Sequence, residues 1–245
     1  MSDAKLIFGT MPIGNLDDST YRLIDYIKNV DLIAVENDEA VKDIINHYKL
    51  SINGKIISIS PKEFMQNGIT NNRTGLVESR EKIHKEILEN VSLNKTVLCL
   101  SDEGSAIVVD PFDTIRQLAI SRNIKYKILP GPSAIIDSIS YSKLYNGISF
   151  SFYGMLFYNK NKTSIYETIK NSEHPSILFY HHEIQDIFFK ELKHFVGSDR
   201  EVTLLSNLTT GKELITDGTI NDIIDFVGKN DVRQPTLVIS GKSIL

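Results

Sequence analysis

The sequence predicts two α/β domains, the first built on a mostly parallel sheet and the second on a mixed sheet. In residues 1–145, short apolar runs rich in β-formers alternate with amphipathic helical segments, which is typical of a parallel sheet. The remaining residues have more strands per helix, which favours some antiparallel pairs. We therefore expect an N-terminal domain at residues 1–145 and a C-terminal domain at residues 146–245.

The spacing of apolar residues places the individual elements. The first helix is expected to bury Tyr21 and to be capped by one of residues 17–19. Residues 64–74 show little periodicity and are expected to form a flexible loop. Strands are predicted at residues 5–8, 31–35, 55–59, 96–100, 125–129, 149–156, 176–181, 201–205, 213–217 and 236–240. Further helices are predicted at residues 40–48, 76–93, 134–144, 161–172, 184–196 and 219–228, and one that starts at Pro111.

The stretch of residues 96–134 carries the strongest functional signal. It reads as a buried strand, a polar loop, a helix and a second strand, which is a right-handed βαβ unit. Asp110 is the expected N-cap of the helix, with Pro111 in the first turn. The loops Ser101–Ser105 and Pro130–Ala134 each follow the carboxyl end of a strand. Open parallel sheets bind ligands at that edge, so both loops are expected to face one crevice.

Composition excludes several classes of protein. The net charge of −4 is not the strongly basic charge of a protein that holds long duplex nucleic acid by electrostatics alone. The single cysteine excludes an internal disulfide. No apolar run reaches the length of a membrane span, and the first residues lack the apolar core of a signal peptide. We expect a cytoplasmic protein. No metal is assigned, because neighbouring residues of a strand, such as His181 and His182, point to opposite faces.

Five segments, in collinear order, resemble a known family. They are residues 10–18 (TMPIGNLDD), 101–111 (SDEGSAIVVDP), 130–134 (PGPSA), 152–156 (FYGML), and Leu208-Thr209 with Gly218-Thr219. Together they are similar to the small-subunit rRNA (cytidine-2′-O)-methyltransferase I family, within the tetrapyrrole (corrin/porphyrin) methylase superfamily. The resemblance covers most of the chain.

This resemblance implies two α/β domains with S-adenosylmethionine in the cleft between them, and a homodimer. It does not require the glycine-rich fingerprint of Rossmann-type methyltransferases. Carried over position by position, the implied cofactor contacts come from three loops of the first half and three positions of the second half. They are Met11, Pro12, Asp102, Ser105, Ser133, Ala134, Tyr180, Leu208 and Pro235.

The acceptor side departs from the family pattern. Where the rRNA enzymes have an acidic-Asp-Thr-Arg pattern, this chain reads Glu36-Asn37-Asp38-Glu39, so the arginine is lost. Phe179-Tyr180 is followed by His181-His182-Glu183 instead of Glu-Ser-Pro-His-Arg, and Ser206-Asn207 replace an Arg-Glu pair. A further C-terminal helical segment of the rRNA enzymes has no counterpart before Leu245. These differences put the rRNA substrate in doubt but leave methyl transfer intact.

Glu36 and Glu103 are the candidate catalytic bases, because each follows a predicted strand and a hydroxyl acceptor needs a proton acceptor. A carboxylate at such a position is more often simply solvated. Asn15 and Arg73 are expected to contact the substrate, Arg73 through an RNA phosphate or a carboxylate. Arg73 belongs to a basic group with Arg80, Lys82 and Lys85, which a solvated helix face explains better than RNA binding does.

The sequence therefore predicts an S-adenosylmethionine-dependent methyltransferase that acts on the ribose 2′-hydroxyl of rRNA or a related RNA. Two alternatives stay open at this point. The acceptor is a small molecule or a peptide, as in other members of the superfamily, or the chain is a non-catalytic cofactor-binding module.

Overall fold

The computed structural model describes residues 4–59, 65–66, 69–70, 73–156, 159–233 and 235–242. The chain divides into two units, Met1–Ser133 and Ala134–Leu245. Each unit has its own five-stranded sheet, and no described strand joins the two sheets. The predicted fold class, two α/β units with a parallel and a mixed sheet, is confirmed. None of the described helices has the length and apolar character that a membrane crossing requires.

The first unit is built on a parallel sheet with the strand order β4-β3-β7-β1-β9. Its strands are β1 (Leu6–Phe8), β3 (Leu32–Val35), β4 (Lys55–Ser58), β7 (Val97–Leu100) and β9 (Tyr126–Ile128). Short antiparallel pairs are formed by β2 (Thr10–Met11) with β8 (Gly104–Ser105), and by β5 (Met65–Gln66) with β6 (Ile69–Thr70). The helices are α1 (Tyr21–Asn29), α2 (Asp38–His47), α3 (Arg73–Ser92) and α4 (Asp113–Ser121).

Alternating side chains of this sheet pack against helices on both faces, as expected of a doubly covered parallel sheet. On one face, Ile33 and Leu98 contact the apolar stripes of α1 and α2. On the other face, Ala34 and Cys99 lie in a core with Ile87 of α3 and Ile115 of α4. Helices cover both faces, and open parallel sheets bind ligands beyond the carboxyl ends of their strands.

The second unit is built on a mixed sheet with the strand order β10-β11-β14-β12-β13. Its strands are β10 (Ser151–Met155), β11 (Ser176–Phe179), β12 (Glu201–Ser206), β13 (Leu214–Thr219) and β14 (Thr236–Ile239). Its helices are α5 (Ala134–Tyr141), α6 (Lys162–Asn171), α7 (Gln185–Val196) and α8 (Ile220–Val227). The core joins Leu204 and Leu237 of the sheet to Ile169, Leu192 and Ile223 of α6, α7 and α8.

The units divide earlier than the predicted boundary after residue 145, because α5 packs with the second sheet. The Ser142 hydroxyl just after α5 lies 2.9 Å from the Thr203 hydroxyl of β12, and both side chains are buried. Lys143 forms an ion pair with Asp217 of β13, with 3.0 Å between nitrogen and oxygen. Helical periodicity identified α5, but it carries no information about which sheet covers the helix.

Three local predictions are wrong. Tyr21 is 94% exposed, since the buried stripe of α1 is carried by Leu23 and Ile27. Thr20 caps that helix by accepting a hydrogen bond from the Leu23 N–H at 3.1 Å, and residues 16–18 form a separate short 3-10 turn. Part of the predicted loop at residues 64–74 is regular, because β5 pairs with β6 and α3 begins at Arg73. Residues 64, 67–68 and 71–72 lie outside the described residues.

Candidate active site

The candidate site lies at the carboxyl edge of the first sheet, where five parallel strands end together. β1 leads directly into β2, whose Thr10 and Met11 pair with Ser105 and Gly104 of β8. The loop that follows β7 therefore bonds to the loop that follows β1. Gly104 has a φ of +64°, a left-handed conformation that glycine adopts without strain.

The loop between β7 and β8 is stabilised by hydrogen bonds of the Ser101 hydroxyl within the loop. The buried Ser101 Oγ lies 2.9 Å from both the Glu103 and Gly104 carbonyl oxygens. The Asp102 carboxyl points towards the next loop, where its Oδ1 accepts a 2.9 Å hydrogen bond from the Asn37 N–H. The carboxyl ends of β3 and β7 are thereby joined by a side chain as well as by the sheet.

Three carboxyl groups from separate loops come together at this edge: Glu36, Asp102 and Asp110. Burial, with a contribution from the two neighbouring carboxyls, raises the pKa of Glu36 to about 7. Burial also raises the pKa of Asp110 to about 7, and it raises the pKa of Asp102. The Arg80 guanidinium opposes this effect on the pKa values of Glu36 and Asp110, so Arg80 lies on the same side of the sheet.

Helix α3 supplies Arg80 and, one turn later, His84. These residues share a helical stripe with the buried Ile87, since they are separated by seven and three positions. Burial and Arg80 together lower the pKa of His84. Of the basic group suggested by the sequence, Lys82 and Lys85 are exposed, whereas Arg80 is turned towards the carboxyls.

Asp110 does not cap a helix that starts at Pro111. Its Oδ1 accepts a 2.8 Å hydrogen bond from the Phe112 N–H in a turn, and α4 begins at Asp113. The preceding Val109 has a φ of +56°, which is rare for a β-branched residue. Asp110 is assigned from the sequence only as a helix cap, although its position in the second family-like segment, residues 101–111, also indicated a place in the site. Arg80 and His84 carried no such signal.

The predicted cofactor contacts of the first unit lie around this edge. Met11 and Pro12 are buried, whereas Ser105 and Ser133 are half-buried. Ala134, the first residue of α5, belongs to the second unit. Glu36 is half-buried and Glu103 is exposed, so only the first of the two candidate bases sits in a low-dielectric environment. Asn15 is exposed and its side chain accepts a hydrogen bond from the Asp17 N–H.

In the second unit, three predicted contacts gather at one edge of the mixed sheet. Strand β14 is antiparallel to β11 and β12, and Thr236 pairs with both Phe179 and Leu205. The ends of β11 and β12 therefore lie beside the start of β14. This arrangement brings Tyr180, Leu208 and Pro235 to the same edge, and all three are buried. The Tyr180 N–H lies 3.5 Å from the Pro235 carbonyl oxygen.

A family model described as tetrapyrrole (corrin/porphyrin) methylases matches residues 5–224. The chain belongs to this tetrapyrrole methylase family. It is accordingly an S-adenosylmethionine-dependent methyltransferase, as the sequence predicted, and the alternative of a non-catalytic binding module is not retained. Among the described residues, no group of histidine, cysteine, aspartate and glutamate side chains has the arrangement of a metal site.

Two curated relatives match almost end to end. A ribosomal RNA small subunit methyltransferase I from Thermotoga maritima is 28% identical over 97% of this chain and 99% of its own length. The protein of the same name from Mycoplasmopsis pulmonis is 31% identical over 96% and 97%. A Vibrio cholerae relative, also of that name, is matched over 71% of its length. Relatives with this name therefore differ in how much of their own length the chain matches.

Solved structures show the same fold at low sequence identity. A uroporphyrin-III C-methyltransferase from Thermus thermophilus, complexed with S-adenosyl homocysteine, superposes with a TM-score of 0.66 over 96% of each chain, at 14% identity. A cobalt precorrin-4 methyltransferase of cobalamin biosynthesis also gives 0.66, over 97% of this chain and 95% of its own, at 14% identity. At these identities the likeness establishes the fold alone.

Proposed function

We propose that this methyltransferase modifies a ribose 2′-hydroxyl of small-subunit rRNA. The observation that carries the proposal is the end-to-end similarity to relatives named ribosomal RNA small subunit methyltransferase I, at 28% and 31% identity. The arginines that this chain lacks relative to the family pattern count less against the proposal, because Arg80 already places a guanidinium near the carboxyls of the site.

The first-unit loops fit S-adenosylmethionine by their chemistry. The cofactor carries an ammonium, a carboxylate and a sulfonium, and Asp102 offers a half-buried carboxyl to the positive groups. Ser105 and Ser133 offer hydroxyl groups. The loops are built largely from glycine, serine and proline, and such small residues let a nucleoside approach the backbone closely. Tyr180, Leu208, Pro235 and Ala134 are proposed as further contacts from the second unit. Bound S-adenosylmethionine supplies an electrophilic methyl group on a sulfonium sulfur.

We assign Glu36 as the general base. Its pKa of about 7 makes its carboxylate a better proton acceptor than an ordinary glutamate, while half of it is still ionised at neutral pH. As the ribose oxygen forms its new bond to the methyl carbon, Glu36 takes the hydroxyl proton, and the methyl–sulfur bond breaks with its electron pair left on sulfur. The charge of Asp110 raises the pKa of Glu36, and the charge of Arg80 lowers it and so limits the rise.

Acceptor RNA is proposed to contact Asn15, which is exposed beside the first loop, and Arg73, which begins α3. A homodimer in the cytoplasm, where ribosomes are assembled, completes the proposal. Light scattering on purified protein measures its oligomeric state.

The deciding experiment measures the transfer of labelled methyl from S-adenosylmethionine to three acceptor pools: small ribosomal subunits from a strain that lacks this enzyme, a peptide mixture and a tetrapyrrole extract. Label is expected in the rRNA alone. It should also protect one phosphodiester bond from alkaline hydrolysis, because a methylated 2′-oxygen cannot attack the adjacent phosphate. Label in the tetrapyrroles or the peptides, with none in rRNA, would replace the RNA proposal by one of those acceptors.

A further inference from the structure

Thr10 touches all the loops of the first unit that carry predicted cofactor contacts. It lies in β2, immediately before Met11, and its backbone pairs with Ser105 of β8. Its hydroxyl donates a 2.7 Å hydrogen bond to the Leu129 carbonyl oxygen, at the start of the loop that contains Pro130–Ser133. Thr10 is only 5% exposed, so water does not compete for this hydrogen bond.

The methyl side of Thr10 lies against the same loop. A Cβ atom added to Gly131 would lie 3.0 Å from the Thr10 Cβ, 3.1 Å from its Cγ2 and 3.3 Å from its carbonyl oxygen. These distances are tighter than ordinary van der Waals contact. A side chain at residue 131 would therefore require Thr10 or the loop after β9 to shift by a few tenths of an ångström.

We propose that Thr10 is a positioning residue for cofactor binding: it locks the loops after β1, β7 and β9 into one rigid cradle. This inference rests on the proposed function, since it assumes that these loops hold S-adenosylmethionine. The reason is geometric. The affinity of a preformed site depends on holding its contacting groups in place before the ligand arrives, and Thr10 is bonded to all three loops at once.

The test compares two substitutions that separate the hydroxyl from the rest of the side chain. Thr10→Val keeps the shape but removes the donor to the Leu129 carbonyl, so the third loop loses its side-chain hydrogen bond to β2. Thr10→Ser keeps the donor and removes Cγ2. The Kd for S-adenosylhomocysteine is measured by titration calorimetry at a temperature at which every variant is folded. We expect about a tenfold weaker Kd for Thr10→Val, which equals about 1.4 kcal/mol, and a Kd close to wild type for Thr10→Ser.

Thr219→Val is the matched control. It also removes a threonine hydroxyl from a hydrogen bond, since the Thr219 oxygen accepts from the Asp222 N–H at the start of α8. Thr219 pairs with Glu201, which places it at the opposite edge of the second sheet from Leu208. This variant is expected to lower thermal stability and to leave the Kd unchanged.

Gly131→Ala provides a second route that leaves the buried hydrogen-bonding groups in place. The added methyl group presses against Thr10 and displaces the loop, so the Kd should rise in the same direction as for Thr10→Val. This variant carries the test alone if Thr10→Val does not fold.

The possible results distinguish a failure of the proposed function from a failure of the positioning role of Thr10. If wild-type protein binds no S-adenosylhomocysteine, the proposed function and this inference fall together. If wild-type protein binds but Thr10→Val, or in its place Gly131→Ala, binds with the wild-type Kd, Thr10 only stabilises the fold and the positioning role is refuted.

Discussion

At the scale of single residues, the decisive feature is the difference between two glutamates that look alike in the sequence. Both Glu36 and Glu103 follow a strand of the parallel sheet. Glu36 is half-buried beside Asp102 and Asp110, whereas Glu103 is exposed. Because desolvation disfavours the ionised form, only the first has the raised pKa that suits a base working near neutral pH.

Glu36→Gln is therefore expected to lower kcat by about 10²-fold or more, the range that a general base contributes. In the wild-type enzyme, kcat should rise with pH with a midpoint near 7, because the base must be ionised. The slow residual rate of the variant should lose this dependence. Rates are measured from pH 5.5 to 9 with saturating cofactor and RNA.

Glu201→Gln, at the exposed start of β12, is the control for a lost glutamate charge. Glu103→Gln distinguishes the two candidate bases. A larger loss of kcat from Glu103→Gln than from Glu36→Gln would transfer the role of base to Glu103.

At the scale of elements, the turn from β1 into β2 depends on Gly9. A Cβ atom there would lie 2.5 Å from Leu100 Cδ2, 3.1 Å from Leu23 Cδ1 and 3.2 Å from Leu98 Cδ1. Leu23, Leu98 and Leu100 are fully buried, so none of them can move into solvent. This glycine lets the first loop turn directly over the core.

Gly9→Ala is expected to destabilise the first unit by about 1–3 kcal/mol, the usual cost of inserting a methyl group into a packed core. Shortening the closest neighbour should relieve part of that cost. The double variant Gly9→Ala/Leu100→Val is therefore expected to be more stable than the sum of the two single changes predicts. Strict additivity in denaturant unfolding would show that the added methyl group does not press on Leu100.

The sequence predicted most helices and strands because the spacing of apolar residues within an element depends only on residues a few positions apart in the chain. Strands β7 and β11, for example, were each placed within two residues at both ends. It could not predict that α5 packs on the second sheet, since one apolar stripe fits either sheet. Nor could it predict that Arg80 faces Glu36. That contact joins residues more than forty positions apart, and only the packing of α3 on the sheet brings them together.

At the scale of the whole molecule, the raised pKa values make stability depend on pH. Glu36 and Asp110 have folded pKa values of about 7, above the ordinary values of 4.5 and 3.8 of these side chains in water. The folded protein therefore binds more protons than the unfolded chain between these values, and stability falls as pH rises through this range. The free energy of unfolding is not reduced by these two groups below about pH 4, and the full reduction is reached once the pH has risen through about 7.

Glu36→Gln removes one of these two groups, so it should raise the thermal midpoint at pH 8 and change it little at pH 5. The expected gain at pH 8 is about 1–3 kcal/mol, given 1.4 kcal/mol for each pKa unit and partial exposure to water. Differential scanning calorimetry at the two pH values measures it, with Glu201→Gln as the control. Equal shifts at both pH values would show that the Glu36 carboxyl is not desolvated in the folded protein.

The position of β1 inside its sheet has a consequence for how the protein forms during translation. Leu6 pairs with Val97 on one side and with Tyr126 on the other, so β1 leaves the ribosome before its two partners, which are made about 90 and 120 residues later. Until β9 is synthesised, β1 has an open edge and Thr10 has no Leu129 carbonyl to bond. A nascent chain that ends before Leu129 therefore cannot complete the proposed cofactor cradle, and it exposes an apolar strand edge of the kind that chaperones bind.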